Sequence, residues 1–361
     1  MTRPAQVVIN LAALRYNYSR VCSLAPNSKI ISVVKADAYG HGLIRVAREL
    51  NQSYAFGVAC IDEARELREA GIDKPIILLE GAYSPAEFSD IEKMNFEIVI
   101  HHHDQIKMIE QSSISVPIKT WIKIDTGMHR LGFFPTELEM VRNRLRDSSK
   151  IHPDVAFMTH LADASDPDSN KTINQLEIFN KVCAAVSGKR SIANSAGILA
   201  WPDTHVDIVR PGLMLYGISP IENKTASDHD LKPVMTLQSK LISIKTVRKG
   251  ESVGYGADWY CPETMPVGIV AAGYGDGFPR HASSGTPILI NGKLCQIIGN
   301  PSMDMITVDL RKLDTVNIGD TVELWGNRLP VEQIAKHAGT IPYELVSGVH
   351  KRLQVIVHDQ D

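Results

Sequence analysis

Between residue 12 and about residue 228 the chain alternates two textures, and this alternation constrains the fold more than any other feature. Short β-rich runs occur at Ile30–Val34, Ala55–Ala59, Ile76–Leu79, Glu97–Ile100, Ile118–Ile124, Asp154–Thr159, Ser191–Ala193 and Asp207–Val209. Longer amphipathic segments lie between several of them. Ile61–Ala70 (IDEARELREA) reads as a helix ended by Gly71, and Asn174–Val186 carries apolar residues at helical spacing. Strands alternating with helices imply a parallel sheet, and eight such units imply a (β/α)8 barrel. The expected fold is α/β: a TIM barrel over residues 11–230, followed by a mostly-β domain over residues 231–361 that also takes in residues 1–10.

The second half has a different grain. LKPVMTLQSKLISIKTVRKGESVGYG, MPVGIVAAGYGDG, TPILINGKLCQIIG, DMITVDL and DTVELWG are β runs separated by Gly, Pro and Asn-Gly. Asn291-Gly292 signals a tight hairpin. One short helix is expected near Val331–Ala338. A chain of 361 residues with 44% hydrophobic content can bury the two cores this division requires.

Several function classes drop out on composition. A formal net charge of -3 gives no reason to expect nucleic acid or an anionic membrane as partner. The apolar runs are too short to span a bilayer. MTRPAQVVINLAALRYNYS has no apolar signal region, so a cytoplasmic location is expected. Cys22, Cys60, Cys183, Cys261 and Cys295 are widely spaced with no C-x-x-C pair, which favours neither a disulfide framework nor a zinc site. His101-His102-His103 reads as a solvated loop, and no metal is expected.

In a (β/α)8 barrel the active site is built from residues that follow the strands. Here Lys35 ends the first run, Arg130 follows the fifth, His160 ends the sixth, Asn194 and Ser195 end the seventh, and Arg210 ends the eighth. Singly, each has an ordinary reading as a solvated rim residue. Together they make a cationic, hydrogen-bonding pocket that contains one isolated lysine. Lys35 comes straight after the apolar run IISVV, which makes it a candidate Schiff-base amine. A carbonyl cofactor and a carbonyl substrate both fit.

The motifs themselves go further. VVKADAYGHG (Val33–Gly42), KIDTGMHRLGF (Lys123–Phe133), MTHLADA (Met158–Ala164), ANSAG (Ala193–Gly197), VRPGLMLYG (Val209–Gly217), VGYGADW (Val253–Trp259), AAGYGDGFPRH (Ala271–His281) and SMDMITVD (Ser302–Asp309) resemble, in order, the motifs of the alanine racemases. That resemblance implies a pyridoxal-phosphate enzyme interconverting L- and D-alanine, with the cofactor on Lys35. It implies phosphate contacts from Tyr39, Ser195 and the backbone N–H groups of Gly212 and Leu213, in a pocket that also includes His160 and Asn194. It implies two acid–base groups, Lys35 for D-alanine and Tyr255 for L-alanine. A free tyrosine has a pKa of about 10, so positive potential from Arg210 and His160 is expected to assist Tyr255.

By the same resemblance Arg210 faces the cofactor's pyridine nitrogen. A permanent cation there disfavours protonation of the nitrogen and weakens the electron sink, which suppresses side reactions. Arg130 is implied as the fork that orients the substrate carboxylate. Lys123 is implied as a carbamylated lysine, the alternative being an ordinary lysine paired to an acid. The backbone N–H of Met303 is a second carboxylate contact, and Tyr274 stands at the entrance. Tyr255 and Met303 are implied to come from the partner subunit of a homodimer. The implied cellular role is supply of D-alanine for peptidoglycan.

Two positions depart from the family pattern. Asn300-Pro301 stands where many relatives have Arg-Val or Thr-Val, and Pro301 fixes φ and removes a donor beside the substrate loop. Lys351 stands where some relatives have a phosphate-binding tyrosine. A broad-specificity amino-acid racemase, an amino-acid decarboxylase on the same fold and a non-catalytic pyridoxal-phosphate carrier are the rival readings. Larger substrates, released carbon dioxide and bound cofactor without proton exchange would distinguish them.

Overall fold

The computed structural model describes residues 3–359. Strand β1 (Gln6–Asn10) opens the chain. Eight strands then close a parallel barrel: β2 (Lys29–Val33), β3 (Ala55–Val58), β4 (Ile76–Leu78), β5 (Glu97–Ile100), β6 (Thr120–Lys123), β7 (Ala156–Met158), β8 (Arg190–Ser191) and β9 (Ile208–Val209). Each pairs with the next, and Lys29↔Ile208 and Ile30↔Val209 join the last strand to the first. Ile31, Ala55, Ile77, Val99, Trp121, Ala156, Met158 and Ile208 pack as one buried cluster. The eight sequence runs thus become eight strands, mostly trimmed where the ladder hydrogen bonds stop, although β2 starts one residue before its run and β8 shares only Ser191 with the expected Ser191–Ala193.

The helix Ile61–Glu69 buries Ile61, Ala64 and Leu67 along one face. Gly71 follows it at φ +82°, a conformation open to glycine without a Cβ penalty. The second expected helix runs over Asn170–Cys183, so it starts four residues early and ends three early. Ser169 accepts a hydrogen bond from the Lys171 N–H and caps it. The histidine run is only partly a solvated loop: His101 and His102 precede the helix His103–Gln111 and His102 is exposed, while His101 and His103 are half-buried. The His101 ring meets the Glu80 carbonyl at 3.0 Å, the His102 ring caps the helix His103–Gln111, and His103 meets Glu137 at 3.0 Å. Each of the three rings has a partner, which a hydropathy pattern does not register.

The remaining strands are β10 (Met235–Val247), β11 (Ser252–Val253), β12 (Trp259–Tyr260), β13 (Met265–Val270), β14 (Pro287–Ile290), β15 (Lys293–Ile297), β16 (Ile306–Asp309), β17 (Thr321–Trp325) and β18 (Gln354–His358). The main sheet has the order β13-β16-β15-β14-β17-β10-β1-β18, and β10 also pairs with β13, so six strands close on themselves. β1 joins this sheet, antiparallel to β10 and parallel to β18. Asn291 (φ +48°) and Gly292 (φ +80°) make the expected turn between β14 and β15. The helix Val331–Ala338 forms where it was expected, and Pro342–Ser347 adds a further short helix.

The described chain divides into two compact units. One, residues 17–215 with 220–223, holds the barrel; the rest forms the β unit. Among the described residues no helix is long and apolar enough to cross a membrane, no group of three His, Cys, Asp or Glu is placed to hold a metal, and all five cysteines are free.

Candidate active site

Lys35 lies two residues beyond β2, half-buried, at the head of an unusual turn. Ala36, Asp37, Ala38 and Tyr39 all have φ between +52° and +55°, one turn of left-handed helix. For L-residues this costs roughly 1–2 kcal/mol each, so the surroundings must hold it. They do: Glu63 accepts from the Ala36 N–H at 2.6 Å, Asp37 accepts from the Leu43 N–H at 2.7 Å, and Arg45 donates to the His41 carbonyl at 2.7 Å. His41 is buried beneath the turn with its ring against the Ala38 and Tyr39 carbonyls. Burial lowers its pKa to about 4, so it stays neutral.

The turn sends the buried Tyr39 toward Gly212. A Cβ on Gly212 would lie 2.5 Å from the Tyr39 hydroxyl, so a larger residue there would have to push the phenol aside. Asn194 caps the helix Ser195–Ala200 by accepting from the Gly197 N–H at 2.9 Å. Ser195 Oγ in turn accepts from the N–H groups of Gly212 (2.9 Å) and Met214 (3.2 Å). A phenol, a hydroxyl and backbone donors are therefore gathered around one glycine. This donor set suits a phosphate.

Arg210 is buried and held by three hydrogen bonds. It donates to the Thr159 carbonyl and the Ser191 hydroxyl, both at 2.6 Å, and to the Ile192 carbonyl at 3.3 Å. Burial lowers its pKa to about 10, which leaves it cationic at neutral pH. Lys123, on β6, is 9% exposed. Burial, then the charges of Arg210, Arg130 and Lys35, lower its pKa to about 8 against a smaller opposing pull from Glu80. Among the described residues no acid forms an ion pair with it.

Arg130 stands exposed in the loop after β6. That loop is shaped by Asp125, which accepts from the N–H groups of Gly127, Met128 and His129. Arg130, Lys123, Thr159 and His160 line one small cavity. His160 does not supply the positive charge expected of it. Burial, then the charges of Arg210, Lys123, Arg130 and Lys35, hold its pKa well below the usual imidazole value, so the ring is neutral.

The barrel therefore brings Lys35, Lys123, Arg130, His160 and Arg210 within electrostatic reach of one another, and places Tyr39, Asn194, Ser195 and Gly212 at the adjoining cradle. Leu213 opens the 3-10 turn that follows Gly212. Inspecting the strand ends missed Glu80, just past β4, whose carboxylate accepts from Tyr83 and pulls on Lys123. The same rule applied to the third run would have found it.

In the β unit, Tyr255 tops the β11–β12 hairpin and is 72% exposed. Asn300, at one of the departures from the family pattern, donates to the Tyr255 carbonyl (3.3 Å) and to Asp258 (2.6 Å). Met303 and Tyr274 are 53% and 41% exposed and sit side by side, because Tyr274 N–H donates to the Ser302 carbonyl at 3.0 Å and Gly275 N–H to the Met303 carbonyl at 2.9 Å. Three residues far apart in sequence are thus carried on loops tied to one another.

Comparison with known proteins bears on both units. Residues 9–220 match the family described as alanine racemase, N-terminal domain, and residues 234–357 match alanine racemase, C-terminal domain. An alanine racemase from Coxiella burnetii is 49% identical over 359 residues, 98% of each chain. The crystal structure of the biosynthetic alanine racemase from Pseudomonas aeruginosa superposes with a TM-score of 0.96 at 39% identity, covering 99% of this chain and 100% of that one. The alanine racemase from Bartonella henselae, solved with covalently bound pyridoxal phosphate, gives 0.89 at 30% identity over 98% and 99% of the two chains. With both units matched at this level and nearly end to end, the chain belongs to the alanine racemase family.

Proposed function

We propose that this racemase carries pyridoxal phosphate on Lys35 and inverts alanine with two acid–base groups, Lys35 of one subunit and Tyr255 of its partner in a homodimer. The observation that carries the reading is the Gly212 cradle beside a cluster of cations: the Tyr39 and Ser195 hydroxyls offer donors to a phosphate, the Gly212 and Met214 N–H groups that now hold Ser195 Oγ lie beside them, and Arg210 supplies a fixed positive charge within a buried pocket. When bound, pyridoxal phosphate withdraws electrons from the amino-acid α-carbon and makes its proton acidic.

The rest falls to the protein's own groups. Inversion requires a proton to leave one face of the α-carbon and another to arrive on the opposite face, so two groups must flank it. Lys35 Nζ serves the face that holds the proton of D-alanine, and the Tyr255 hydroxyl serves the face that holds that of L-alanine. Arg130 and the Met303 N–H bind the carboxylate, and Tyr274 lines the approach. Lys123, buried among cations with a pKa of about 8, is disposed to react as the neutral amine with carbon dioxide. The resulting carbamate would place a negative charge beside Arg130 and fix the guanidinium.

The similarity to a biosynthetic enzyme supports D-alanine supply for peptidoglycan as the cellular role. The five free cysteines suit the reducing cytoplasm.

A circular-dichroism time course of L-alanine, L-serine and L-arginine with the pyridoxal-phosphate-loaded protein tests the substrate. The alanine signal should decay to zero while the larger amino acids persist. Equal decay of all three would make the enzyme a broad-specificity racemase, and no decay would overturn the two-base reading.

A further inference from the structure

Asp276 is fully buried in the turn that carries Tyr274, yet it has no role in the chemistry described above. A buried carboxylate is costly unless it is well paired. Its Oδ2 accepts from Arg3 (2.7 Å) and from the Gly273 N–H (3.0 Å), and its Oδ1 accepts from Arg352 (2.7 Å). The two arginines continue past it. Arg352 donates to Asp304 (2.9 Å) and reaches the Met303 carbonyl (3.4 Å), and Arg3 donates to the Asp304 carbonyl (3.2 Å).

Asp276 also caps its own turn, since its N–H donates to the Gly273 carbonyl while its side chain takes the Gly273 N–H. That turn presents the N–H groups of Tyr274 and Gly275, which hold the carbonyls of Ser302 and Met303. Both peptide planes around Met303 are therefore fixed through their carbonyls. In a trans peptide the N–H points opposite to the carbonyl. With Ser302 C=O held toward the turn, the Met303 N–H is aimed away from it, and among the described residues it has no acceptor. The fit is close: a Cβ on Gly273 would lie 2.2 Å from the Ser302 carbonyl oxygen, and one on Gly275 would lie 2.6 Å from Arg352.

We infer that Asp276, clamped between Arg3 and Arg352, is a positioning residue that aims the Met303 N–H at the substrate carboxylate. The inference rests on the reading above in which that N–H binds the carboxylate. It gives the clamp a specific signature, because carboxylate recognition weakens while the chemistry at the α-carbon proceeds.

The test uses the full-length, pyridoxal-phosphate-loaded protein and the variants Arg352→Met, Arg352→Lys and Arg3→Met, whose side chains are each about a third exposed in the wild type. The readouts are KM and kcat for alanine, the inhibition constant of propionate (alanine without its amine), and the cofactor's visible absorbance. In Arg352→Met, KM and the propionate constant should rise together by about tenfold, the loss of one charge-assisted contact. Arg3→Met, which leaves Arg352 on the Met303 carbonyl, should raise both by less. Arg352→Lys should recover part of the loss, and it carries the test if Arg352→Met does not fold. kcat and the absorbance should stay within about twofold.

A parallel fall of kcat and cofactor loading would reduce the clamp to a structural brace and overturn the inference. Unmoved KM and propionate inhibition in every variant would also overturn it, with the proposed racemase intact. A wild-type protein that does not turn over alanine, or whose turnover propionate leaves untouched, would instead remove the underlying reading, and this shows before any variant is made.

Discussion

The barrel mouth and the β-unit loops treat their polar residues in opposite ways. At the barrel mouth, Lys123 and Arg210 are buried; burial alone lowers the Arg210 pKa, and burial with neighbouring cations lowers that of Lys123. The β unit instead displays Tyr255, Tyr274 and Met303 to solvent, and the bonds that hold them run through backbone carbonyls and the Asn300 and Arg352 side chains. Burial tunes a group; loop bonding only aims it. A tyrosine that is 72% exposed in its own chain has its position set there but not its chemistry. In the proposed reading the tuning comes from the second subunit.

The largest effects should come from removing one group from each side. Lys35→Ala should abolish the cofactor's visible absorbance and cut racemisation by roughly 10^3–10^4-fold. Tyr255→Phe should keep the absorbance yet lose roughly 10^2–10^3-fold. In D2O the tyrosine variant should still deuterate D-alanine at the α-carbon, because Lys35 alone can exchange that proton. Both measurements are made by absorbance and proton NMR. A Tyr255→Phe enzyme that remained fully active would sink the two-base assignment.

Mixing those two inactive variants sharpens the comparison. If the sites are shared across a two-fold dimer, each mixed dimer contains one site with both groups intact. After subunit exchange, activity should return to about one quarter of wild type. No return would mean that Tyr255 serves the barrel of its own chain.

A smaller effect is expected at the cradle. Gly212→Ala would press a methyl group to within 2.5 Å of the Tyr39 hydroxyl. Relaxing that clash should weaken cofactor binding by about tenfold, read by absorbance titration, with the β-unit loops undisturbed.

The smallest effect is on stability, and its sign follows from the Lys123 amine. Its folded pKa of about 8 lies below the ordinary lysine value of 10.5. Below pH 8 both folded and unfolded chains hold the proton, and the buried charge exerts its full cost. Between pH 8 and 10.5 the unfolded chain holds more protons, so stability rises with pH; above 10.5 the term vanishes. In carbon-dioxide-free buffer, Lys123→Met should therefore stabilise the protein most below pH 8, by on the order of 3 kcal/mol or less, with the gain shrinking toward pH 10.5. Denaturant melts of both proteins across that range would show it, and a pH-independent difference would contradict it.

Much of this protein can be read from its sequence, because the rules involved are local. Apolar runs alternating with amphipathic ones gave the eight barrel strands, Gly71 ended a helix, and Asn291-Gly292 turned a hairpin. The ordered motifs marked the barrel residues that the structure gathers at one mouth. What depended on distant neighbours could not be read. KADAYG gives no sign of four consecutive left-handed residues, since these depend on Glu63 and Arg45 as well as on Asp37. His160 looked like a source of charge until burial among four cations made it neutral. Asp276 looked like one letter of a glycine-rich motif, whereas its partners are 273 and 76 residues away. Sequence determines which groups are available and roughly where the chain turns. Burial and long-range pairing are properties of the packed chain, and they decided which of those groups is charged and which way each one points.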